Sequence, residues 1–346
     1  MARMEAILRR LRRSSLVDAI GLVLLAVVVL FLFFKLVENP ERFLNVAIIG
    51  MTNGAIYGLV ALGYTLVYGI LQLINFAHGD VFALSGLVAS TMIITVLDIG
   101  EDASVLFIIL GLLATIAVTI PLFALINAGI ERIAYKPLRA APRLAALITA
   151  VGVSFIVQNV ALGIYGVDFE SVPPFIPRTP AIEIGGVVIQ WNKLAIFLIV
   201  IPVLVILTWF VRSTRQGKAM RAVAQDMEAS AMMGIDVNRT ISVTFVLAGA
   251  LAAVAGLVYL LQFNIRYDTG FELGLIAFTA AVLGGIGNLS GAVLGAMLIG
   301  MVQAFNEGLD GTPGGDWTRS IVFGILIAVL VFRPQGILGE RTPEGA

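Results

Sequence analysis

The chain has 346 residues, of which 59% are hydrophobic and 13% are charged, and its mean hydropathy is +1.01. Because soluble domains carry roughly 25% charged residues, this composition excludes a soluble fold. The 22 basic and 22 acidic residues leave no net charge, which argues against nucleic acid as a partner, and the absence of cysteine excludes disulfides, thiol catalysis and thiolate metal sites.

Apolar runs close to the length that crosses a bilayer recur along the chain. Backbone groups in hydrocarbon must be satisfied within their own segment, so each run is predicted to be helical. The fold class is therefore an all-α polytopic membrane protein with about ten transmembrane or re-entrant helices. The predicted spans are 17–37, 43–70, 81–97, 104–127, 144–165, 194–211, 241–262, 272–287, 290–306 and 319–333. Gly-rich, polar stretches around 70–80 and 284–291 indicate broken or re-entrant helices.

The N-terminal region resembles a signal peptide at first sight. Five arginines within residues 3–13 precede the apolar run 17–37. That run is too long for the apolar core of a signal peptide, and no small-residue cleavage site precedes Glu38. We expect a basic tail at 1–16 and a retained first span.

The distribution of basic residues predicts the orientation, because cytoplasmic loops accumulate Lys and Arg. With the N-terminus inside, 16 of the 22 basic residues fall on the cytoplasmic side. Both termini, including a tail at 340–346, are therefore predicted to be cytoplasmic. An even number of spans follows, either ten or eight with two re-entrant segments.

Two segments, GMTNGAIYG and GNLSGAVLG, carry glycine at every fourth position. This spacing lets helix backbones approach closely. The pattern fits central helices around a translocation path, and it also fits the ordinary tight packing of a helix bundle. The packing candidates are Gly50, Gly54, Gly58, Gly287, Gly291 and Gly295.

Polar side chains inside the apolar stretches are the candidates for a translocation pathway, because such groups usually face the bundle interior or a wet cavity. They either bridge neighbouring helices or contact a passing zwitterion. His78 is the only histidine, so no His-rich metal site exists, and GxxxxGK[ST], HExxH and GxSxG are absent. The pathway candidates are Asn53, Asn75, His78, Gln158 and Asn159.

The longest predicted cytoplasmic loop is 212–239. Residues 218–233 favour one amphipathic helix, which follows Gly217 and ends at Gly234 as a C-cap residue. Its small and apolar face can enter a groove on a soluble partner, with Arg221 and Asp226 at the rim. A solvated connecting helix is the alternative interpretation.

Four blocks closely resemble the permease subunits of the high-affinity branched-chain amino acid ABC transporter family. In chain order they are GAIYGLVALGYTLVYGILQLINFAHGD, ERIAYKPLR, RQGKAMRAVAQDMEASAMMGI and AFTAAVLGGIGNLSGAVLGA. The resemblance covers about residues 43 to 339, which we take as the permease domain, and the span at 17–37 is extra to it.

The resemblance implies a transport subunit of the inner membrane, which is no enzyme and needs no cofactor or metal. It implies a second permease subunit, ATP-binding cassette ATPase subunits, a periplasmic substrate-binding protein and a small-molecule substrate, and alternating access in the bilayer. It also implies that loop 212–239 couples to the ATPase. The residues carried over to this coupling role are Gly217, Arg221, Ala222, Gln225, Asp226 and Gly234.

Three alternatives remain open from the residues themselves. Importers of the same pattern also take urea, short amides or other neutral or aromatic amino acids. A secondary transporter or channel would need intramembrane charges for ion coupling, and Asp80 and Asp18 lie near predicted span ends. An intramembrane enzyme would need a nucleophile with a base, or paired acids, within the bilayer.

Overall fold

The computed structural model describes residues 26–139 and 141–339 together with Gly21 and Val23. The predicted tails at 1–16 and 340–346 and the first part of the span 17–37 lie outside these described residues. Residues 26–38 are helical and are labelled α1. The helices that follow are α2 Pro40–Leu71, α3 Ala77–Thr91, α4 Val105–Ile130, α5 Arg143–Tyr165, α6 Trp191–Ser213, α7 Arg215–Gln225, α8 Met227–Met232, α9 Val237–Leu260, α10 Thr269–Gly284, α11 Leu289–Gly308 and α12 Gly315–Phe332.

The all-α polytopic prediction is confirmed. In the described part of the chain, eight helical segments are long and apolar enough to cross a membrane, and α10 is a shorter apolar helix. Two of the segments extend beyond their α-helix: α3 runs into a π-helical turn at Met92–Val96, and α4 into a π-helix at Glu131–Tyr135 and a 3₁₀ turn at Lys136–Leu138. The count of ten spans stays a prediction.

Both predicted interruptions are present. α2 ends at Leu71, its C-cap residue Gln72 has a left-handed φ of 51°, and an irregular stretch leads into α3. α10 and α11 are separated by a turn in which Gly285 and Gly287 have φ of 111° and 91°. Left-handed backbone ends a helix, and the glycines adopt it without a side-chain clash.

Glycines bring the central helices into close contact. A Cβ placed on Gly54 would lie 2.7 Å from the Met297 backbone, and one on Gly50 would lie 2.9 Å from the Met301 backbone. α2 and α11 therefore meet backbone to backbone. α9 packs against α3 and α4 in the same core, where Ser85 donates a 2.8 Å hydrogen bond to the Ala252 carbonyl.

A small β-hairpin, absent from the sequence prediction, precedes α6. Strands β1 (Pro180–Ile184) and β2 (Val187–Gln190) pair antiparallel around Gly185 and Gly186, with φ of 56° and 79°. Two left-handed residues fit the tight hairpin turn that matches strand twist. Asn45 of α2 fastens the hairpin by accepting from Val188 N at 2.8 Å and donating to Gly186 O at 3.0 Å.

Candidate functional site

The predicted single helix 218–233 is wrong: the segment folds as α7 and α8, with a break at Asp226. Asp226 has extended backbone (φ −155°, ψ 112°), and its side chain accepts from Ala229 N at 2.8 Å as the N-cap of α8. Thr214 caps α7 in the same way. The break has a local cause, because an Asp side chain can satisfy the free N–H groups that open a new helix. Gly234, with φ of 83°, follows α8, as expected for a helix-terminating glycine.

α7 is anchored to the end of α6 by two of the residues assigned to coupling. Gly217 is buried, and a Cβ there would collide with the backbone carbonyls of Phe210 and Val211. Arg221 donates a hydrogen bond to the Val211 carbonyl, one of the orphan acceptors that close α6. Both residues hold the loop on the membrane helix.

The other coupling residues lie around the free side of the same segment. Ala222 is half-buried, and Gln225, Asp226 and Gly234 are exposed. The most exposed apolar side chains of the segment are Met232 and Met233, at 81% and 83%. Flexible methionines at a tip are typical of surfaces that dock a partner. Both methionines lie in the predicted helix 218–233, but nothing in the sequence assigned them a role of their own.

A buried ion pair lies at the start of α9, beside this segment. Glu131 is 1% exposed, pairs with Arg139 and accepts from Ser242 of α9 at 2.8 Å. Arg139 also donates to Asn238 Oδ1 at 2.5 Å, in the first turn of α9. The block ERIAYKPLR is thus hydrogen-bonded to the first turns of α9, the helix that follows the α7–α8 segment. Sequence reasoning assigned no role to Glu131, although an acid at a span end was a visible signal.

The same block reaches the break between α2 and α3. The Tyr135 hydroxyl donates to Asn75 Oδ1 at 2.8 Å, and both residues are buried. The Tyr135 ring also lies 5.4 Å from that of Phe245 on α9. Asn75, a pathway candidate, is therefore joined through Tyr135 to the helix that follows α8.

Two further pathway candidates are packed in the core. Asn53 is 3% exposed, and His78 is fully buried against Gly63, where any Cβ would collide with its ring. The Tyr64 ring meets His78 edge-on at 4.9 Å between centroids. In the described part of the chain the Asn53 Oδ1 atom lacks a hydrogen-bond partner. Lining a pathway would require a space to open beside them.

Gln158 and Asn159 point in different directions from α5, one toward Asp80 and the other toward the surface. Gln158 donates to Asp80 Oδ1 at 2.9 Å, and Ser154 donates to the other carboxylate oxygen. Asp80 is 1% exposed in the first turn of α3, so it lies inside the bundle. Asn159 is exposed and bonds to its own helix at Phe155 O, 2.8 Å away. The structure brings the first of the two candidates to the buried acid and leaves the second on the surface.

The glycine candidates fall into two contacts and one turn. Gly50, Gly54 and Gly58 of α2 face α11. Gly291 and Gly295 of α11 lie against α10, where a Cβ at either position would collide with backbone carbonyls. Gly287 is not helical: it lies in the turn between α10 and α11, close to Gly69.

The loop between α9 and α10 carries a charged pair, Arg266 and Asp268. Arg266 donates twice to Asp268, at 2.6 and 2.7 Å, and its guanidinium lies 4.6 Å from the centre of the Phe169 ring. The Asp268 hydrogen bonds raise the pKa of Arg266 further above its ordinary value. The adjoining Glu170–Ile265 bridge ties this loop to the segment after α5.

In the described part of the chain, eight long apolar helices enclose a tightly packed apolar core with a smaller number of buried polar side chains, which is the architecture of a multi-pass membrane protein. A model of the family described as "Branched-chain amino acid transport system / permease component" matches residues 46–331. The chain belongs to this family.

Curated relatives agree with this assignment. The chain is 39% identical over 311 residues to the "High-affinity branched-chain amino acid transport system permease protein BraD" of Pseudomonas aeruginosa, covering 88% of this chain and 99% of that protein. It is 37% and 36% identical to the LivH proteins of the same description from Salmonella typhimurium and Escherichia coli K12, over 89% of this chain and 99% of each.

Proposed function

We propose that this chain is the membrane-spanning permease subunit of an ATP-driven importer for branched-chain or related amino acids in the inner membrane. Family membership and the names of the relatives support the substrate class. Residues 43–339 form the transport unit and contribute half of a translocation pathway. A second permease subunit supplies the other half, ATP-binding cassette subunits dock at loop 212–239, and a periplasmic binding protein delivers the substrate.

The observation that carries the coupling proposal is the contrast within the α7–α8 segment. Gly217 and Arg221 hold one side of it on α6, while Met232 and Met233 extend from the other side with more than 80% of their surface free. A rigid base and an apolar tip are what a helix-in-groove contact with a soluble subunit needs. Arg221 therefore acts by positioning the segment, and the methionines make the contact.

Hydrogen bonds connect this ATPase contact to the interior of the helix bundle. The segment leads into α9, whose first turns are clasped by Arg139 and Glu131. Tyr135 of the same block bonds to Asn75 at the break before α3. A displacement of the α7–α8 segment on ATP binding would thus shift α9 and the broken α2–α3 region together, which is how packed elements amplify small movements.

The coupling proposal is tested by placing a carboxylate on the docking tip. In the reconstituted transporter, Met232→Asp with Met233→Asp should reduce retention of the ATPase subunits and the stimulation of ATP hydrolysis by loaded binding protein. A charge in an apolar contact loses its hydration without gaining a partner. Ile184→Asp, at an apolar side chain of the hairpin that is 74% exposed, is the control away from this segment and should retain the ATPase. Full ATPase retention in the methionine variant would show that the segment is a solvated connector.

Orientation supplies a separate test. The bias of basic residues supports a cytoplasmic position for the α7–α8 segment and for both termini. A cytoplasm-active reporter fused at the C-terminus should be active, and one active only in the periplasm should be silent. The reverse pattern would remove the coupling role from loop 212–239.

The substrate is tested on the binding protein, because selectivity is expected to lie largely there. Calorimetric titration of the partner binding protein with leucine, isoleucine and valine should show tight binding. Exclusive binding of urea, short amides or aromatic amino acids would reassign the substrate within the same importer family.

A further inference from the structure

A groove of about 520 Å³ lies between α6 and α11 on the outer surface of the bundle. Leu204, Val205 and Val293 form its apolar part, and Trp209 lies beside them. Val205 and Trp209 are each 61% exposed, so the groove is open on the outer face of α6. Since α6 is long and apolar enough to cross a membrane, its surroundings at this depth are lipid or another membrane helix.

One end of the groove is basic and rich in hydroxyl groups. Arg212, in the last turn of α6, donates to Ser290 Oγ at 3.1 Å, and Ser213 also lines this end. Ser290 lies in the first turn of α11, where the helix dipole favours negative charge. Within residues 26–139 and 141–339, no carboxylate lies within 4.0 Å of the Arg212 guanidinium.

We propose that this groove binds one anionic phospholipid, with its phosphate at Arg212 and Ser290 and an acyl chain along Leu204, Val205 and Val293. The two ends of the groove match the two parts of an anionic phospholipid. A cation and hydroxyl groups lie at the membrane boundary, where an acidic headgroup would sit, and an apolar wall extends toward the membrane interior, where an acyl chain would sit. Trp209 between the two parts fits the preference of Trp for the interfacial region. The proposal depends on the chain spanning a membrane and is independent of what it transports.

The three tryptophans of the chain provide a direct measurement. A variant with Trp191→Phe and Trp317→Phe leaves Trp209 as the only tryptophan, which is excited selectively over tyrosine at long wavelength. In vesicles, Trp209 should be quenched more by brominated phosphatidylglycerol than by brominated phosphatidylcholine at equal mole fraction. A variant that retains only Trp191, at the opposite end of the same helix and 48% exposed, is the matched control and should show no preference between the two lipids.

Substitutions then separate the groove from general attraction to a basic surface. Arg212→Gln should lower the preference of the anionic over the zwitterionic lipid about fivefold, the factor that corresponds to the ~1 kcal/mol contributed by one arginine near an acidic membrane surface. Ser290→Ala, a mild change, should lower it in the same direction. Arg239→Gln, an equal charge change at the start of α9, should leave it unchanged.

Three results would overturn the proposal. Equal quenching of Trp209 by both lipids would show that no headgroup is selected. A preference that survives Arg212→Gln would place the anionic lipid elsewhere. Protection of Trp209 from both brominated lipids in the assembled transporter would show that a protein segment fills the groove.

Discussion

The inner and outer helices of the bundle differ in what they bury and in what their sequences contain. Of the most apolar stretch of α2, 83% is buried, against 17% for α4 and 11% for α12. The buried helix carries Gly50, Gly54 and Asn53, whereas the exposed ones are dominated by large aliphatic side chains. In a membrane, lipid is as apolar as leucine, so small and polar residues mark the inside and bulky apolar ones the outside.

This contrast predicts a large effect for the buried ion pair. Arg139→Met leaves the Glu131 carboxylate buried without its partner, which should lower the free energy of unfolding by about 3–5 kcal/mol. Arg319→Met is the matched control: its pair with Glu272 is 2.5 Å long, but the side chains are 69% and 42% exposed. That change should cost less than about 1 kcal/mol.

Both variants are compared by reversible unfolding in bicelles. The double variant Arg139→Met with Glu131→Met should regain much of the lost stability, because no unpaired charge then remains inside. Equal losses for Arg139→Met and Arg319→Met would show that the inner pair is as well solvated as the outer one.

A smaller effect is expected from glycine, again with one position on each side. A Cβ on Gly300 of α11 would lie 2.6 Å from Gly54 Cα, so Gly300→Ala must push α2 and α11 apart and should cost about 1–3 kcal/mol. Gly324 of α12 has open space around its Cβ position, so Gly324→Ala should stabilise the protein by about 0.4–1 kcal/mol through the unfolded state. Thermal shifts of opposite sign in the same detergent are the expected readout. Two shifts of the same sign would break the contrast between inner and outer helices.

Hydropathy and glycine spacing predicted the architecture because both are local properties. The predicted spans 144–165 and 290–306 correspond to α5 and α11 within about two residues, the ordinary uncertainty of a helix end. The family and its function followed from four long blocks of sequence. The hairpin before α6 was missed, although Gly185-Gly186 between two short runs was a usable turn signal.

The side-chain arrangement was less accessible from sequence because it depends on partners far apart in the chain. Glu131 reaches Ser242, and Asp80 reaches Gln158, so neither cluster has a sequence spacing that reveals it. The α7–α8 break was misjudged for another reason. Asp226 lies in a window of good helix formers, and the capping preference of one residue outweighed their summed propensity.

The smallest predicted effect concerns two neighbours on α5. Gln158 faces inward and donates to Asp80, while Asn159 faces outward and bonds to its own helix. Gln158→Leu removes one interhelical hydrogen bond, and such bonds contribute about 0.6 kcal/mol on average and up to about 1.7 kcal/mol inside membranes. Asn159→Leu exposes a more apolar side chain on the outer face and should be neutral or slightly stabilising.

A double-mutant cycle isolates the bond from the change in side-chain volume. Asp80→Asn and Gln158→Leu should couple by about 0.6–1.7 kcal/mol, because each change removes part of the same contact. Asp80→Asn and Asn159→Leu should add independently, since no contact joins them. If both pairs couple equally, or if neither pair couples, then the inward-facing Gln158 contributes no more interhelical energy than the exposed Asn159. The distinction between inner and outer faces would then not hold for α5.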